Sequence, residues 1–501
     1  MTGLARLASR PIVAIVAVTA LAAFVRFTHL SHPDRLVFDE NYYPKAGCIL
    51  VGLDDETCRL DDTEQLFREQ RWDVGSYVHP DLGKWQIGLG IEAFGMTSFG
   101  WRSASALAGT LVVLLSTVIA WLVFRRIVWT YVAGVFLALD GLNIAMSRTA
   151  LLDVHLELWV VLGFLFLVLD RRWLERRETP LEVARPAVSP VWRPWRFAAG
   201  VALGAAVAVK WSGAFAILGA VVLSYAWETS RRRRGDLTGW QAFGRAVLRE
   251  SFGLVLAFAI VPLIVYVATW LPWMHHFGHD LFHDPVAAMA AWWREQLDMW
   301  RYHGETLQEF SENGSGALTP THPYYSRPWR WPILARPVLF YSETGGPTVE
   351  QVLAIGNPAI AWASVLAMPY LAFTWRKLRD WRSGFLLVPF LAQWLPWFLV
   401  DRPQFSFYLL PMTPFLTLGV VYLLWKLSEA RIVVRDSETG DVARHPETGE
   451  PAVSRARPYL PFVIAFVVAA IILAIWFWPI VSAVRISDAR WRSIVWFRAW
   501  M

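Results

Sequence analysis

Phe38-Asp39-Glu40-Asn41-Tyr42-Tyr43 sets two adjacent carboxylates among aromatic rings, just after the first long apolar run. A carboxylate in such surroundings can take the proton of a hydroxyl as its oxygen attacks, the work of a general base. An ordinary solvated acidic loop has the same composition, so the pair is read together with the cations around it. His79-Pro80-Asp81-Leu82-Gly83-Lys84 brings a lysine to the start of an apolar stretch, where its ammonium meets a lipid phosphate or serves as a snorkelling anchor. Ser147-Arg148-Thr149-Ala150-Leu151-Leu152-Asp153 forms a turn between two apolar runs that also contain Asp140, His155 and Glu157. Ionisable groups in hydrocarbon cost roughly 2.5 to 3.5 kcal/mol each on insertion scales, so these need partners or a polar cavity. Arg148 can offer a planar fork of donors to phosphate oxygens, or pair with Asp153 and join two helices. Lys210-Trp211-Ser212-Gly213 and Asp401-Arg402-Pro403-Gln404 bring further cations to the ends of apolar runs. Cations at four such ends suit a lipid-linked phosphate.

A metal is a weaker reading. His275, His276, His279 and His283 include i, i+4 pairs that would share a helical face, but Pro272 and Gly278 interrupt a regular helix and no cysteine is near. No metal site or certain cofactor is expected; a divalent cation is compatible with the sequence but not indicated by it. Asn313-Gly314-Ser315 matches a glycosylation sequon, a pattern that often arises by chance.

The elements that must position these groups are membrane spans. The 501 residues are 55% hydrophobic and 18% charged, which excludes an ordinary soluble protein. Lys and Arg exceed Asp and Glu by 47 to 41, but the surplus falls between apolar runs and not on a polar domain, so nucleic acid is not an expected partner. Runs near 11–29, 101–124, 127–146, 151–169, 197–209, 213–230, 251–271, 357–375, 384–400, 405–425 and 459–482 predict about eleven transmembrane helices in one polytopic domain, 1–501. The first run is expected to be retained, because no small-residue cleavage site follows it. The stretch 197–230 is the weakest, with Lys210 interrupting two short halves. Alternate connections are basic: Arg125-Arg126, Arg171 to Arg196, Arg231 to Arg249, Arg376-Lys377 and Lys426 to Arg457, which places the N-terminus in the cytoplasm. Two long segments then lie outside, 30–100 and 272–356. Each is expected to carry a helix on the membrane surface, Trp85 to Phe94 and Asp284 to Arg301. Cys48 and Cys58 share the first outside loop, where either a disulfide persists or two thiols stay unpaired.

Taken in order along the chain, Phe38-Asp39-Glu40, His79 to Lys84, Ser147 to Asp153, Val209 to Gly213, His322-Pro323-Tyr324 and Trp329 to Pro337 resemble the actinobacterial protein O-mannosyltransferases. These are membrane-embedded glycosyltransferases of the GT-C type, an all-α integral membrane fold. The resemblance implies inverting transfer of mannose from polyprenyl-phosphate-mannose to Ser or Thr of a secreted or membrane polypeptide, at the extracytoplasmic face of the cell membrane. It implies that Asp39 is the catalytic carboxylate, that Glu40 assists or binds acceptor, and that Arg148 is needed for activity. His79, Lys84, Asp153, Lys210, His322 and Gln404 are the candidates for binding donor phosphate or acceptor. Expected partners are the lipid donor, the polypeptide acceptor, membrane lipid and the secretion channel. Asp81 departs from the family pattern, which has proline there. The leaving group is a phosphate, already anionic, so cations rather than a second carboxylic acid must ease its departure. Three rival readings are a transferase of the same type acting on a lipid or cell-wall glycan, a transporter, and a membrane scaffold. The first shares base and phosphate site, the second requires related halves that are not evident, and the third leaves the clustering of charges unexplained.

Overall fold

The computed structural model describes residues 10–54, 56–58, 78–177, 191–233, 237–276, 278, 281–311, 322–400, 402–432, 442, 454 and 456–501, with backbone alone for 276 and 304–311. Each apolar run of the sequence lies on helix, because a chain in hydrocarbon must satisfy its backbone polar groups within itself. Among the described residues seven helices are long and apolar enough to cross a bilayer: Ser98–Phe124, Leu152–Arg177, Gly213–Arg232, Gly239–His275, Pro358–Leu378, Ser406–Glu429 and Leu460–Val481. Ile127–Ala138 and Gly141–Ser147 form one further span if the 53° bend between them is counted as internal to it, and Pro11–Phe27 and Pro194–Val209 are shorter apolar helices. The bend is set by Asp140, whose extended backbone leaves the first helix while its carboxylate accepts from the backbone N–H of Asn143 at 3.0 Å and starts the second. The doubtful stretch 197–230 is two helices, broken where Lys210 takes an extended conformation.

Ionisable groups inside these helices need partners to offset desolvation, and a chain of hydrogen bonds supplies them to Arg26 and Glu157. Arg26 donates to Asn143 Oδ1, Asn143 donates to Glu157 at 2.7 Å, and Thr413 donates to the other oxygen of Glu157 at 3.2 Å. His155 Nε2 lies 3.3 Å from Ser105 Oγ.

Above the helices the first segment is built on small residues. Leu82–Phe94 is a helix packed against Tyr43–Leu50, and their backbones touch at Gly47 and Gly88. A Cβ on Gly88 would sit 2.2 Å from the Gly47 carbonyl oxygen, and one on Gly47 would sit 2.5 Å from that of Lys84. We expect Gly88→Ala to lower stability by about 1 to 3 kcal/mol through overpacking, read as a lower unfolding temperature in detergent. An unchanged temperature would mean the two helices are free to separate. Cys48 and Cys58 are joined in a disulfide that closes the far end of the Tyr43–Leu50 helix.

The second segment departs in one respect from an all-α reading. Pro285–Ser311 is the expected helix, but Val338–Gly345 and Thr348–Ala354 form an antiparallel hairpin with Gly345 opposite Thr348, and Ile486–Ser487 adds a third short strand. No clean alternation marks these strands: β1 (Val338–Gly345) is apolar at its base and exposed over its last four residues, while β2 (Thr348–Ala354) is buried from Val349 onward, Glu350 and Gln351 included. The hairpin reaches the acidic loop. Phe340 stacks on Phe38 with ring centroids 4.5 Å apart, and buried Glu350 meets His32 at 2.7 Å and Arg485 at 3.1 Å.

Candidate active site

Two neighbouring carboxylates emerge from one turn of helix, Phe38–Asn41, with different surroundings. Glu40 is wholly buried. It accepts Nε and Nη2 of Arg102, both at 2.8 Å, the backbone N–H of Val37 at 2.9 Å and that of Ala150 at 2.8 Å. Arg102 spends its remaining donors on the carbonyls of Leu30, Pro33 and Arg35. The Glu40 carboxylate therefore fastens the loop after the first helix to the turn at Ala150. Both of its oxygens are occupied by these donors.

Asp39 is the other half of the pair, and among the described residues its carboxylate has no hydrogen-bond partner. Burial pushes it up to about 6, against the pull of the nearby Lys210 ammonium and with a further push from Asp153. Phe38, just before it, holds a φ of +51°, a conformation that a bulky side chain keeps only when packing enforces it. Phe340 and Phe407 supply that packing.

Lys210 ends the helix Pro194–Val209 and donates to Asp153 Oδ2 at 2.7 Å, in the first turn of Leu152–Arg177, where the helix dipole also favours an anion. Beside this pair opens a cavity of about 620 Å³. His79, Asp153, Lys210, His303, Arg402 and Tyr408 give it a polar end, and Trp397 and Leu399 are among its apolar lining. Arg402 donates to Tyr408 Oη at 2.9 Å and contacts His303 Nδ1 at 2.8 Å, and it has no carboxylate partner among the described residues. Burial, with Lys210 next and then His303 and Arg402, pushes His79 well below the ordinary histidine value, so it is a neutral imidazole.

The structure thus brings together Asp39, His79, Asp153 and Lys210 from the candidates read in the sequence. Others stand elsewhere. Arg148 Nη1 donates to the carbonyls of Val25, Arg26 and Thr28 and its Nη2 to that of His29, so it caps the C-terminal end of Pro11–Phe27. Lys84 is buried against Asp81 at 3.1 Å and the His79 carbonyl, where it stabilises the turn rather than meeting a headgroup. Asp81 supplies the counter-charge to that lysine. Gln404 donates to the carbonyls of Trp397 at 2.8 Å and Val400 at 2.6 Å and so shapes the loop that carries Arg402. His322 accepts from the Tyr324 N–H at 3.2 Å and packs on Phe405, outside the cavity lining. Asp401, His279 and the sequon at Asn313 lie outside the described residues. Sequence reasoning missed His303 and Tyr408, and it named Arg402 only as one more terminal cation. No spacing joins positions about a hundred residues apart, so only Arg402 left a signal.

The family model for dolichyl-phosphate-mannose-protein mannosyltransferases matches residues 16–277, over half of the chain. The chain belongs to this family. A second mannosyltransferase-family model, the C-terminal four-transmembrane region of protein O-mannosyltransferases, matches residues 288–500. The polyprenol-phosphate-mannose–protein mannosyltransferase of Mycobacterium tuberculosis is 31% identical over 492 residues, covering 93% of this chain and 86% of the relative. That of Mycolicibacterium smegmatis is 30% identical, covering 93% and 87%. In fold the mannosyltransferase chain is similar to the Saccharomyces cerevisiae Pmt1-Pmt2 complex bound to its sugar donor, with a TM-score of 0.70 at 13% identity over 99% of this chain and 94% of that one. The Archaeoglobus fulgidus oligosaccharyltransferase shares the fold more distantly, at a TM-score of 0.51 and 12% identity, covering 94% and 56%.

For this mannosyltransferase, the proximity of Lys210 to Asp39 has a measurable consequence. Lys210→Met removes the charge that lowers the Asp39 carboxyl and leaves Asp153 to push it higher. The acid limb of activity is expected to move to higher pH, because more of Asp39 is then protonated at a given pH. A limb at its wild-type position would separate the two groups electrostatically.

Proposed function

We propose that this multi-pass membrane protein transfers mannose from polyprenyl-phosphate-mannose to Ser or Thr hydroxyls of polypeptides, with inversion, at the extracytoplasmic face of the plasma membrane. The observation that carries the reading is that Asp39, a carboxylate with no hydrogen-bond partner among the described residues, lies near Lys210, which shares a cavity with Arg402. A hydroxyl is a poor nucleophile until its proton is removed as the new bond forms, and Asp39 takes that proton. The acceptor oxygen bonds to the anomeric carbon, the bond from that carbon to the phosphate oxygen breaks, and its electron pair leaves with the phosphate. The phosphate gains negative charge in this step. Lys210 and Arg402, fixed in advance at a site that partly excludes water, favour that change more than mobile solvent would. The apolar wall of the same cavity suits an isoprenoid chain, and the basic connections of the sequence put the opposite ends of the spans in the cytoplasm.

The test is transfer of radiolabelled mannose from the lipid donor to a Thr- and Pro-rich peptide by the purified protein. Label on the peptide is the expected result. Label appearing instead on an added lipid acceptor would keep the fold and the donor and replace the acceptor.

A further inference from the structure

We infer that His303 is a positioning residue for donor binding, which holds the Arg402 guanidinium in the cavity wall and ties the helix Pro285–Ser311 to the loop at Val78 and His79. The inference rests on the reading of the cavity as a site for a lipid phosphate and goes one residue further, to a histidine that neither the sequence motifs nor the expected chemistry requires.

Arg402 reaches the cavity from a loop, and a loop arginine with four rotatable bonds is aimed only if something fixes it. Two contacts do. Its Nη2 donates to Tyr408 Oη at 2.9 Å, and its Nη1 lies 2.8 Å from His303 Nδ1. An arginine can only donate, so Nδ1 is the acceptor and the ring proton resides on Nε2. The second nitrogen then carries the ring proton, which the nearby backbone carbonyl of Val78 favours. The ring is also wedged between aromatic groups, 5.3 Å from His79 and 6.1 Å from Trp211 between centroids. One imidazole thereby joins three separate pieces of chain: the outside helix Pro285–Ser311, the loop before Leu82–Phe94 and the loop before Ser406–Glu429. The lock needs a neutral ring. Burial, with Arg402 and Lys210 adding to it, pushes His303 to about 4, so it stays an acceptor across the working range. A carboxylate at this place would hold Arg402 more strongly but would cancel the charge a phosphate needs. A neutral acceptor aims the cation and leaves it available.

The test uses the full-length protein in detergent, with direct binding of polyprenyl phosphate and steady-state transfer measured side by side. His303→Ala is expected to weaken polyprenyl-phosphate binding and raise donor KM about tenfold, the worth of one hydrogen bond to a charged group. The KM for peptide and the unfolding temperature should stay near wild type. His303→Asn sets a carbonyl oxygen where Nδ1 stood and should recover most of the loss. Arg402→Ala should be at least as damaging, and the double variant no worse than Arg402→Ala alone, since the histidine acts through the arginine. Additive losses, or equal losses for donor and peptide with a lower unfolding temperature, would overturn the assignment and make His303 a packing residue. Wild-type protein that binds no polyprenyl phosphate would instead remove the phosphate reading of the cavity, and the assignment with it.

Discussion

Asp39→Asn is expected to lower turnover by roughly 100- to 10,000-fold, the usual worth of a general base, with donor binding retained. The substitution keeps the size of the side chain and removes its ability to take a proton. Loss of activity together with intact polyprenyl-phosphate binding would therefore locate the defect in chemistry. The pH dependence makes the same point independently. A base works only when deprotonated, and burial holds this carboxyl at about 6, so wild-type activity should be full well above pH 6 and fall as pH drops through that value. An ordinary exposed aspartate would not lose its charge until about pH 4. Undiminished turnover in the purified Asn variant would remove Asp39 from the mechanism, whatever the profile showed.

Glu40→Ala, one residue away, should act through stability. Its carboxylate pairs with an Arg102 that is itself fully buried, and truncating one partner of such a pair leaves the other charge without compensation. The expected cost is about 3 to 5 kcal/mol, read as reduced yield and a lower unfolding temperature. The Ala150 and Val37 N–H groups lose their acceptor at the same time, which frees the turn that carries Asp39. Removing the stranded charge as well, in Glu40→Ala with Arg102→Met, should recover part of the stability and little of the activity, because the turn still lacks its fastening. A Glu40→Ala protein that melts at the wild-type temperature would show that the pair contributes nothing to the fold. The contrast between the two variants comes from environment alone: one carboxylate is saturated with donors, and the other has no hydrogen-bond partner among the described residues.

The sequence by itself determined the solvent of this protein, the positions of its apolar helices and the identity of its family. Those properties are local and additive: a run of apolar residues reads the same wherever it packs, and motifs such as Phe38-Asp39-Glu40 and Val209 to Gly213 stand in contiguous stretches. It also picked out Asp39, Asp153 and Lys210, which lie at helix ends where an ionisable residue is conspicuous against its neighbours. What each charge does was decided by tertiary structure. Arg148 and Lys84 look in sequence like phosphate ligands, but carbonyls and a carboxylate from nearby turns take up their donors. Arg402, one cation among several in the sequence, stands in the cavity with only neutral partners among the described residues. The hairpin that presses Phe340 on Phe38 and the histidine that aims Arg402 were not legible either. A hydrogen bond depends on the few ångströms between two groups, and along the chain His303 and Arg402 are separated by several helices.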